Sequence, residues 1–362
     1  LLAMLLLTPL FLAGQSLPGG SAFTVTRDSG DGIQINFQLP AWELETVERD
    51  GASYARVRLD GIPKLFIGEE ETLPVFSAMM AIPARGGVSL RVSGEPSDSR
   101  SGLQPEFTAS LAAERQAGRL GGTLYPEHAA LISEPQVLRD FRVVSLNVHP
   151  FQWDSATGEL LVRDHLTLNL DFDNGPSVNE TIPAPSLSPA FEKIYRGLIL
   201  NYAQAAGRNA DYHSPRLLVI YGNYVDAIYQ GKVDEYVAWK RQKGYLVEAA
   251  STATTGTSNS AIKAYIQTRY DNPETRPDYI VLIGDDSGTI AVPSYSTYID
   301  YYYTWLAGSD NLGDVAIGRI SVDSAAELVA YMAKVNILEN DINLDLAAWL
   351  DRMVLVGDTA SS

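Results

Sequence analysis

Short runs of alternating apolar and polar residues recur between Ser21 and Phe172, and glycines and prolines separate them. The clearest runs are GIQINFQL, YARVRLDG, GVSLRVSG, FRVVSLNVHP and LTLNLDFD. A period of two places successive side chains on opposite faces of a strand, so that one face can be buried. The pattern predicts an antiparallel β-sandwich. The stretch from Glu95 to Gln116, rich in Ser, Gly, Arg and Glu, is predicted to be a long loop.

After His213 the pattern changes, and fully apolar runs alternate with segments of helical period. The apolar runs are RLLVIY, YLVEAA, DYIVLIG, DVAIGRI and DRMVLVG, and the helical segments are VDAIYQGKVDEYVAWKRQKG, TSNSAIKAYIQTRY and SAAELVAYMAKVNILEN. Strands that alternate with helices form a parallel sheet with right-handed crossovers and helices on both faces. Residues 215–362 are therefore predicted to form a doubly wound α/β domain, incomplete at its last visible strand.

The segment between these regions is rich in proline and then helical. The stretch NGPSVNETIPAPSLSP predicts a connecting arm, because proline cannot join a central ladder. The segment AFEKIYRGLILNYAQAA has apolar residues at helical spacing and predicts a helix that closes a first domain over residues 21–205. Residues 206–214 are predicted to be a linker. In it Arg208 is either an accessible site for proteolytic processing or an ordinary linker arginine.

The chain opens with LLAMLLLTPLFLAGQSLPGG, whose apolar part is too short to span a bilayer comfortably. Residues 1–16 are predicted to be a signal peptide, truncated at its start because the usual basic n-region is missing. Cleavage is expected near Ala13 to Ser16. The alternative, a buried N-terminal helix, is disfavoured because the segment has no amphipathic period. The protein is therefore expected to be exported, as a secreted or cell-surface protein without a membrane span.

Composition removes several classes of function. The 362 residues contain 44 Asp and Glu against 27 Lys and Arg, and a net charge of −17 repels nucleic acid. There is no cysteine, so neither a thiol nucleophile nor a Cys-ligated zinc exists within this sequence. The four histidines, which are His128, His149, His165 and His213, are not in a metal-binding or serine-hydrolase spacing. They are interpreted as surface or strand residues.

Carboxylates lie at the ends of two of the predicted strands. Asp285 and Asp286 end the run YIVLIG, and Asp310 and Asp314 stand in the loop AGSDNLGD just before the run VAIGRI. Strand-end carboxylates can converge with backbone carbonyls, which is how Ca²⁺ collects six to eight oxygen ligands. Aspartates at such positions also serve as ordinary turn and cap residues. Spacing alone leaves both interpretations open.

Several phrases in the sequence resemble a known family. The phrases WKRQKG, VLIGD and IGRIS, in their order along the chain, resemble the first part of the catalytic domain of gingipain-type cysteine peptidases, family C25. The upstream phrases DGIPKLFIGEEETLPVFSAMMAIP, RDFRVVSLNVHPFQWDSATGELLV and SPAFEKIYRGLILNY resemble the prodomain of that family. The resemblance covers nearly everything after the apolar N-terminal segment.

The resemblance implies a caspase-like fold for the α/β region and a secreted zymogen whose prodomain packs on its own catalytic domain. It implies hydrolysis of protein or peptide substrates by a Cys activated by His, both in residues beyond the end of this chain. Asp358 is the one carboxylate near the position of a supporting acid. The family's calcium site would fall on these positions: Asp285, Ala307, Asp310, Leu312 and Asp314. Asp286 would then be only a neighbour of the ion. The rival hypothesis is a non-catalytic exported surface or adhesion protein on the same scaffold.

Overall fold

The computed structural model describes residues 20–183, 185–207, 211–297 and 299–339. The chain divides into two compact units. Unit 1 comprises the described residues up to His213 together with Ala307–Asp314, and unit 2 comprises Ser214–Leu306 with the described residues from Val315 onward. The predicted signal peptide, Arg208, the predicted strand DRMVLVG and Asp358 lie outside the described residues.

Unit 1 consists mainly of strands. In chain order the strands are β1 Phe23–Ser29, β2 Gly32–Gln38, β3 Glu43–Arg49, β4 Ala52–Arg58, β5 Lys64–Ile67, β6 Glu70–Pro74, β7 Phe76–Ile82, β8 Val88–Ser93, β9 Asp98–Ser101, β10 Leu124–Tyr125, β11 Ala130–Ile132, β12 Gln136–Leu138, β13 Phe141–Val148, β14 Phe151–Asp154, β15 Glu159–Val162 and β16 His165–Phe172. The helices are α1 Thr108–Gln116, α2 Glu192–Leu198 and α3 Tyr202–Ala205, and a 3-10 turn spans Gly20–Ala22.

These strands form three four-stranded antiparallel sheets and two separate hairpins within the described residues. The first sheet has the order β1-β2-β16-β8, the second β10-β14-β15-β9, and in the third β13 pairs with β11, β12 and β7. The hairpins are β3-β4 and β5-β6. All five alternating runs named from the sequence contain a strand, so those predictions are confirmed.

One hydrophobic core joins the sheets of unit 1. Ile33, Ile35 and Phe37 of β2 are buried, whereas the residues between them are partly or fully exposed. Phe37 meets Phe76 of β7 edge to face, with ring centroids 5.0 Å apart. The first and third sheets therefore pack on a shared core, as the sandwich prediction requires. The second sheet and the two hairpins make the architecture more elaborate than a plain sandwich.

Two local predictions in unit 1 were wrong. The predicted loop from Glu95 to Gln116 contains β9 and α1. Strand β9 is the edge of its sheet and is polar, so it lacks the alternation that reveals a half-buried strand. The predicted closing helix is instead two helices, α2 and α3. They are separated because Ile199 is extended and the Leu200 N–H donates to the Met79 carbonyl at 2.9 Å.

Unit 2 contains a parallel sheet. Its described strands are β17 Arg216–Tyr221, β18 Leu246–Ser251, β19 Tyr279–Ile283 and β20 Ala316–Ile320. Its described helices are α4 Ala227–Gln242, α5 Thr252–Thr255, α6 Asn259–Asp271 and α7 Ala325–Glu339, with a 3-10 turn at Tyr301–Thr304. The described strands lie in the order β18-β17-β19-β20, and all neighbours are parallel.

Both faces of this sheet are covered. Leu217 and Val219 pack with Val233 of α4, and the alternate residues Leu218 and Ile220 are equally buried. Because successive side chains point to opposite faces, burial of both sets requires cover on each side. The predicted parallel α/β arrangement is confirmed for the described residues. No helix among them combines the length and the apolar character that are needed to cross a membrane.

Candidate functional site

The strand order of unit 2 changes direction between β17 and β19. In open α/β sheets ligands bind at such a switch point, outside the carboxyl ends of the strands. Here the segment that follows β19 fills the position, because Ile290 is fully buried against Gly222, which follows β17. A Cβ on Gly222 would lie 2.7 Å from Ile290 Cγ2. Glycine is therefore required at position 222. The segment that follows β19 occupies the crevice at the switch point.

Asp285 lies at this edge, directly after β19 and Gly284. Its N–H donates to the Ile290 carbonyl at 2.9 Å, and its own carbonyl accepts from the N–H of Val292 at 2.7 Å. The carboxylate Oδ1 accepts from the N–H of Asp286 at 2.8 Å and from Ser321 Oγ at 2.9 Å. Ser321 follows β20, so the Asp285 side chain joins the ends of two neighbouring strands.

Asp286 has a different role in the same segment. Its Oδ1 accepts hydrogen bonds from the hydroxyl of Ser294 and, at 2.7 Å, from the backbone N–H of that residue. The hydroxyl and then the N–H of Ser294 lower the pKa of the Asp286 carboxyl, because both stabilise its ionised form. The two adjacent aspartates therefore face different partners.

Three charged residues that the sequence analysis did not single out form the remaining polar contacts described at this edge. Arg319 of β20 forms an ion pair with Asp300 and also donates to the carbonyls of Gly284 and Val292, at 2.9 and 2.7 Å. Asp323 Oδ1 accepts from the backbone N–H of Ile290 at 2.9 Å. The available signal for Arg319 was its position inside the otherwise apolar run VAIGRI, where a largely buried charge requires partners.

The loop Ala307–Asp314 belongs to unit 1, although the sequence places it inside the α/β region. Asp314 is fully buried, and its Oδ1 accepts from the N–H of Arg139 at 3.2 Å while its Oδ2 accepts from the N–H of Ala307 at 2.7 Å. Asp310 accepts at Oδ2 from Val137 N–H at 2.7 Å and at Oδ1 from Leu312 N–H at 2.9 Å. Burial raises the pKa of Asp310, and these two N–H groups act in the opposite direction.

The five positions of the predicted calcium site are thus divided. Asp285 is in unit 2, and the other four, Ala307, Asp310, Leu312 and Asp314, are in unit 1. The described residues include no group of three or more His, Asp or Glu side chains placed to hold a metal ion. Each carboxylate oxygen of Asp310 and Asp314 accepts a backbone N–H. Each of these oxygens keeps a second lone pair, so the N–H contacts do not exclude a cation, and the calcium site stays a prediction.

Three of the histidines, His149, His165 and His213, lie at strand or loop positions in the described part of the chain. His149 is buried, and its Nδ1 lies 2.8 Å from the carbonyl of His128, which can only accept, so Nδ1 carries the proton. Burial lowers the pKa of His149. His213 Nδ1 is 3.4 Å from Ser186 Oγ, and His165 is exposed at the start of β16. The sequence has no cysteine and therefore contains no thiol nucleophile.

Two protein families match consecutive segments of the chain. Residues 121–208 match the family described as Propeptide_C25, and residues 210–362 match Peptidase family C25. Lys-gingipain of Porphyromonas gingivalis is 26% identical over 370 residues, which cover 93% of this chain and 21% of that protein. Gingipain R2 of the same organism is 26% identical over 237 residues, which cover 64% of this chain and 31% of that protein. The chain thus spans between a fifth and a third of the length of these relatives.

Solved structures of the same group align partially. The complex of the pro- and mature domains of RgpB from P. gingivalis has a TM-score of 0.40 and 18% identity, covering 50% of this chain and 96% of that one. A structure of gingipain K that addresses its zymogenic latency has a TM-score of 0.32 and 23% identity. The alignment covers 42% of this chain and 93% of that one. The family assignment rests on the family matches. By these matches the chain is a gingipain-type member of peptidase family C25, with a propeptide region followed by a peptidase region.

Proposed function

We propose that this chain is the propeptide and the first part of the catalytic region of an exported cysteine endopeptidase, made as a zymogen. The observation that carries the proposal is the order of the two family matches, propeptide at 121–208 and peptidase at 210–362. In this proposal the nucleophilic cysteine and its histidine base lie downstream of Ser362, since the sequence contains no cysteine. The substrates are proteins or peptides, and the side chain selected would be set by downstream residues.

The linker supports the zymogen proposal. Unit 1 and unit 2 meet in sequence at His213 and Ser214, within the polar segment 206–214 that contains Arg208. A cut there would separate the propeptide sequence from the peptidase sequence, as activation of a zymogen requires. In this proposal the propeptide packs on its own catalytic domain in the uncut zymogen. Export is proposed from the apolar N-terminal segment, residues 1–16, and would place the enzyme outside the cell or on its surface.

The test is to express the reading frame extended past Ser362 and to measure hydrolysis of an unfolded protein substrate. We expect thiol-dependent activity that iodoacetamide abolishes, and loss of activity when the downstream cysteine is changed to Ala. The chain that ends at Ser362 should hydrolyse nothing, with or without a reducing agent. An extended frame without a cysteine and a histidine, or activity that survives alkylation, contradicts the peptidase proposal. A frame without the pair would favour the non-catalytic exported surface or adhesion protein.

We further propose that Ca²⁺ is a structural ion of the peptidase region, bound by Asp285, Asp310 and Asp314 with the carbonyls of Ala307 and Leu312. The support is the resemblance of these positions to the family's calcium ligands and the oxygen-rich donor set that they provide. Each oxygen of Asp310 and Asp314 accepts one N–H and keeps a second lone pair with which it can bind the ion. Asp286 is not among the proposed ligands, and its Oδ1 accepts hydrogen bonds from Ser294.

A further inference from the structure

The loop Ala307–Asp314 is built into unit 1 by polar contacts along its length. Besides the carboxylates of Asp310 and Asp314, the N–H of Ser309 donates to Asn179 Oδ1 at 2.8 Å. Asn179 Nδ2 in turn donates to the carbonyl of Pro135 at 2.8 Å. Leu312 packs against the apolar cluster that contains Tyr195. The loop therefore places one apolar side chain and two carboxylates on a surface that residues 135–140 and 179 provide. We call this surface the loop receptor.

The loop receptor has a buried positive charge. Arg139 is only 4% exposed, and its Nη1 donates to the backbone carbonyl of Asp314 at 2.7 Å while its N–H donates to the Asp314 carboxylate. On its other side, Nε lies 3.7 Å from Asp140 Oδ1, and the guanidinium lies 5.1 Å from the Phe191 ring. Asp140 also accepts from the N–H of Ser188 and the hydroxyl of Tyr195. Because a buried guanidinium is costly unless it is paired, the loop supplies a partner that Arg139 requires.

Backbone conformation indicates that the receptor is shaped for this loop. Arg139 and Asn179 have φ values of 49° and 54°, in the left-handed region that residues other than glycine rarely adopt. Such conformations persist where the surroundings hold them. In the loop, Gly308 has φ 68°, and a Cβ on it would lie 2.7 Å from Asp310 Oδ2 and 3.1 Å from Val137 Cγ2. The side chains of Asp310 and Val137 therefore leave little room for a side chain at position 308.

The chain passes from one unit to the other at three places, which are 213/214, 306/307 and 314/315. A cut in the linker breaks only the first of them. We propose that after such a cut the loop Ala307–Asp314 remains seated in the loop receptor and holds the two fragments together, with Asp314 as the main retaining residue. The proposed occupant of the receptor is this segment of the same chain. The inference rests on the proposed function only for the natural occurrence of the cut.

The test uses the full chain with a recognition sequence for a specific protease inserted in the linker. After the cut, the fragments are analysed by size-exclusion chromatography and by dilution to measure their dissociation constant, in the presence of a chelator so that calcium does not contribute. We expect the fragments to co-elute. Asp314→Ala removes the carboxylate that accepts the Arg139 N–H, and the Cβ of Gly308→Ala would crowd Asp310 Oδ2 and Val137 Cγ2. Each change should raise the dissociation constant at least tenfold. The matched control is Asp234→Asn, at an exposed aspartate of α4.

Circular dichroism of each uncut variant shows whether it is folded before the cut. If Asp314→Ala does not fold, Gly308→Ala, which keeps both carboxylates of the loop, decides the question. Separation of the unaltered fragments under native conditions would overturn the proposal, and so would equal retention by the folded variants and the control. Neither result depends on peptidase activity, so a failure here is distinct from a failure of the proposed function.

Discussion

Arg319 and Asp300 form a two-point ion pair, with Nη2 2.7 Å from Oδ1 and Nε 2.8 Å from Oδ2. The remaining nitrogen of the guanidinium, Nη1, donates to the carbonyls of Gly284 and Val292. One side chain on β20 thus fixes both ends of the segment that contains Asp285 and Asp286. The geometry uses the flat, forked shape of arginine, which lysine cannot reproduce.

We therefore expect Arg319→Lys to destabilise unit 2 by roughly 2 to 3 kcal/mol, because it removes a largely buried pair and leaves backbone carbonyls without their donor. The measurement is denaturant unfolding followed by tryptophan fluorescence. Asp300→Asn should cost less, since the two carbonyls keep their partner. The exposed Arg100→Lys serves as the control and should leave the midpoint nearly unchanged. An effect of Arg319→Lys no larger than that of the control would contradict this role.

Calcium is expected to stabilise the chain if the proposed site exists. An ion that binds only the folded state contributes about 2.7 kcal/mol at a hundredfold excess over its Kd. Thermal unfolding in excess Ca²⁺ and in chelator measures this gain. Asp310→Asn should remove most of it, and Asp286→Asn should leave it largely intact. Identical unfolding curves in calcium and in chelator would contradict the calcium site and leave the aspartates with a structural role only.

His149 should make the stability of unit 1 depend on pH. Burial lowers its pKa, and the charge of a protonated His128 lowers it further, whereas the hydrogen bond to the His128 carbonyl acts in the opposite direction. The unfolded state therefore binds the proton more readily. The stabilisation is complete above the unfolded value of about 6.5 and decreases as the pH falls below it. We expect the melting temperature to fall between pH 7 and pH 5. His149→Gln should flatten this slope, whereas His165→Gln should not.

Glu339 is expected to stabilise unit 2 over a lower pH range. Burial raises its pKa, but hydrogen bonds from Lys240, Lys243 and the Trp239 indole together lower it to about 2. The contribution is fully present above the unfolded value of about 4.3 and is lost as the pH falls towards 2. At neutral pH, Glu339→Gln should cost roughly 1 to 2 kcal/mol, because two ammonium groups lose their charged partner. Glu235→Gln, which affects one helical pair, should cost less.

The elements that the sequence predicted correctly are those whose hydrophobic period matches their burial. Strand β2 alternates buried and accessible residues, and β17 and β19 are apolar runs in a sheet that is covered on both sides. Strand β9 was missed because an exposed edge strand needs no apolar face. Hydrophobic periodicity detects elements that bury an apolar face, so elements that bury few side chains are not predicted from it.

The surroundings of the candidate site residues were not predictable in the same way. Asp310 and Asp314 were recognised as chemically significant, but their partners Val137 and Arg139 are 173 and 175 residues away in sequence. No local pattern in SDNLGD indicates that the loop belongs to unit 1. Likewise, nothing near Asp286 in the sequence indicates that its carboxylate accepts a hydrogen bond from Ser294. Long-range hydrogen bonds of this kind depend on how the chain folds as a whole.

The separation of Arg139 and Asp314 by 175 residues also sets an order in time. At ~5–20 residues per second, the ribosome adds Asp314 roughly 9 to 35 s after Arg139. During this interval the nascent propeptide has its loop receptor but not the loop that fills it. Such distant contacts are among the slower steps of folding, because the intervening chain has to be closed first. A polypeptide that stops before Ala307 contains the entire propeptide match, 121–208, and yet lacks a part of the unit in which that sequence folds.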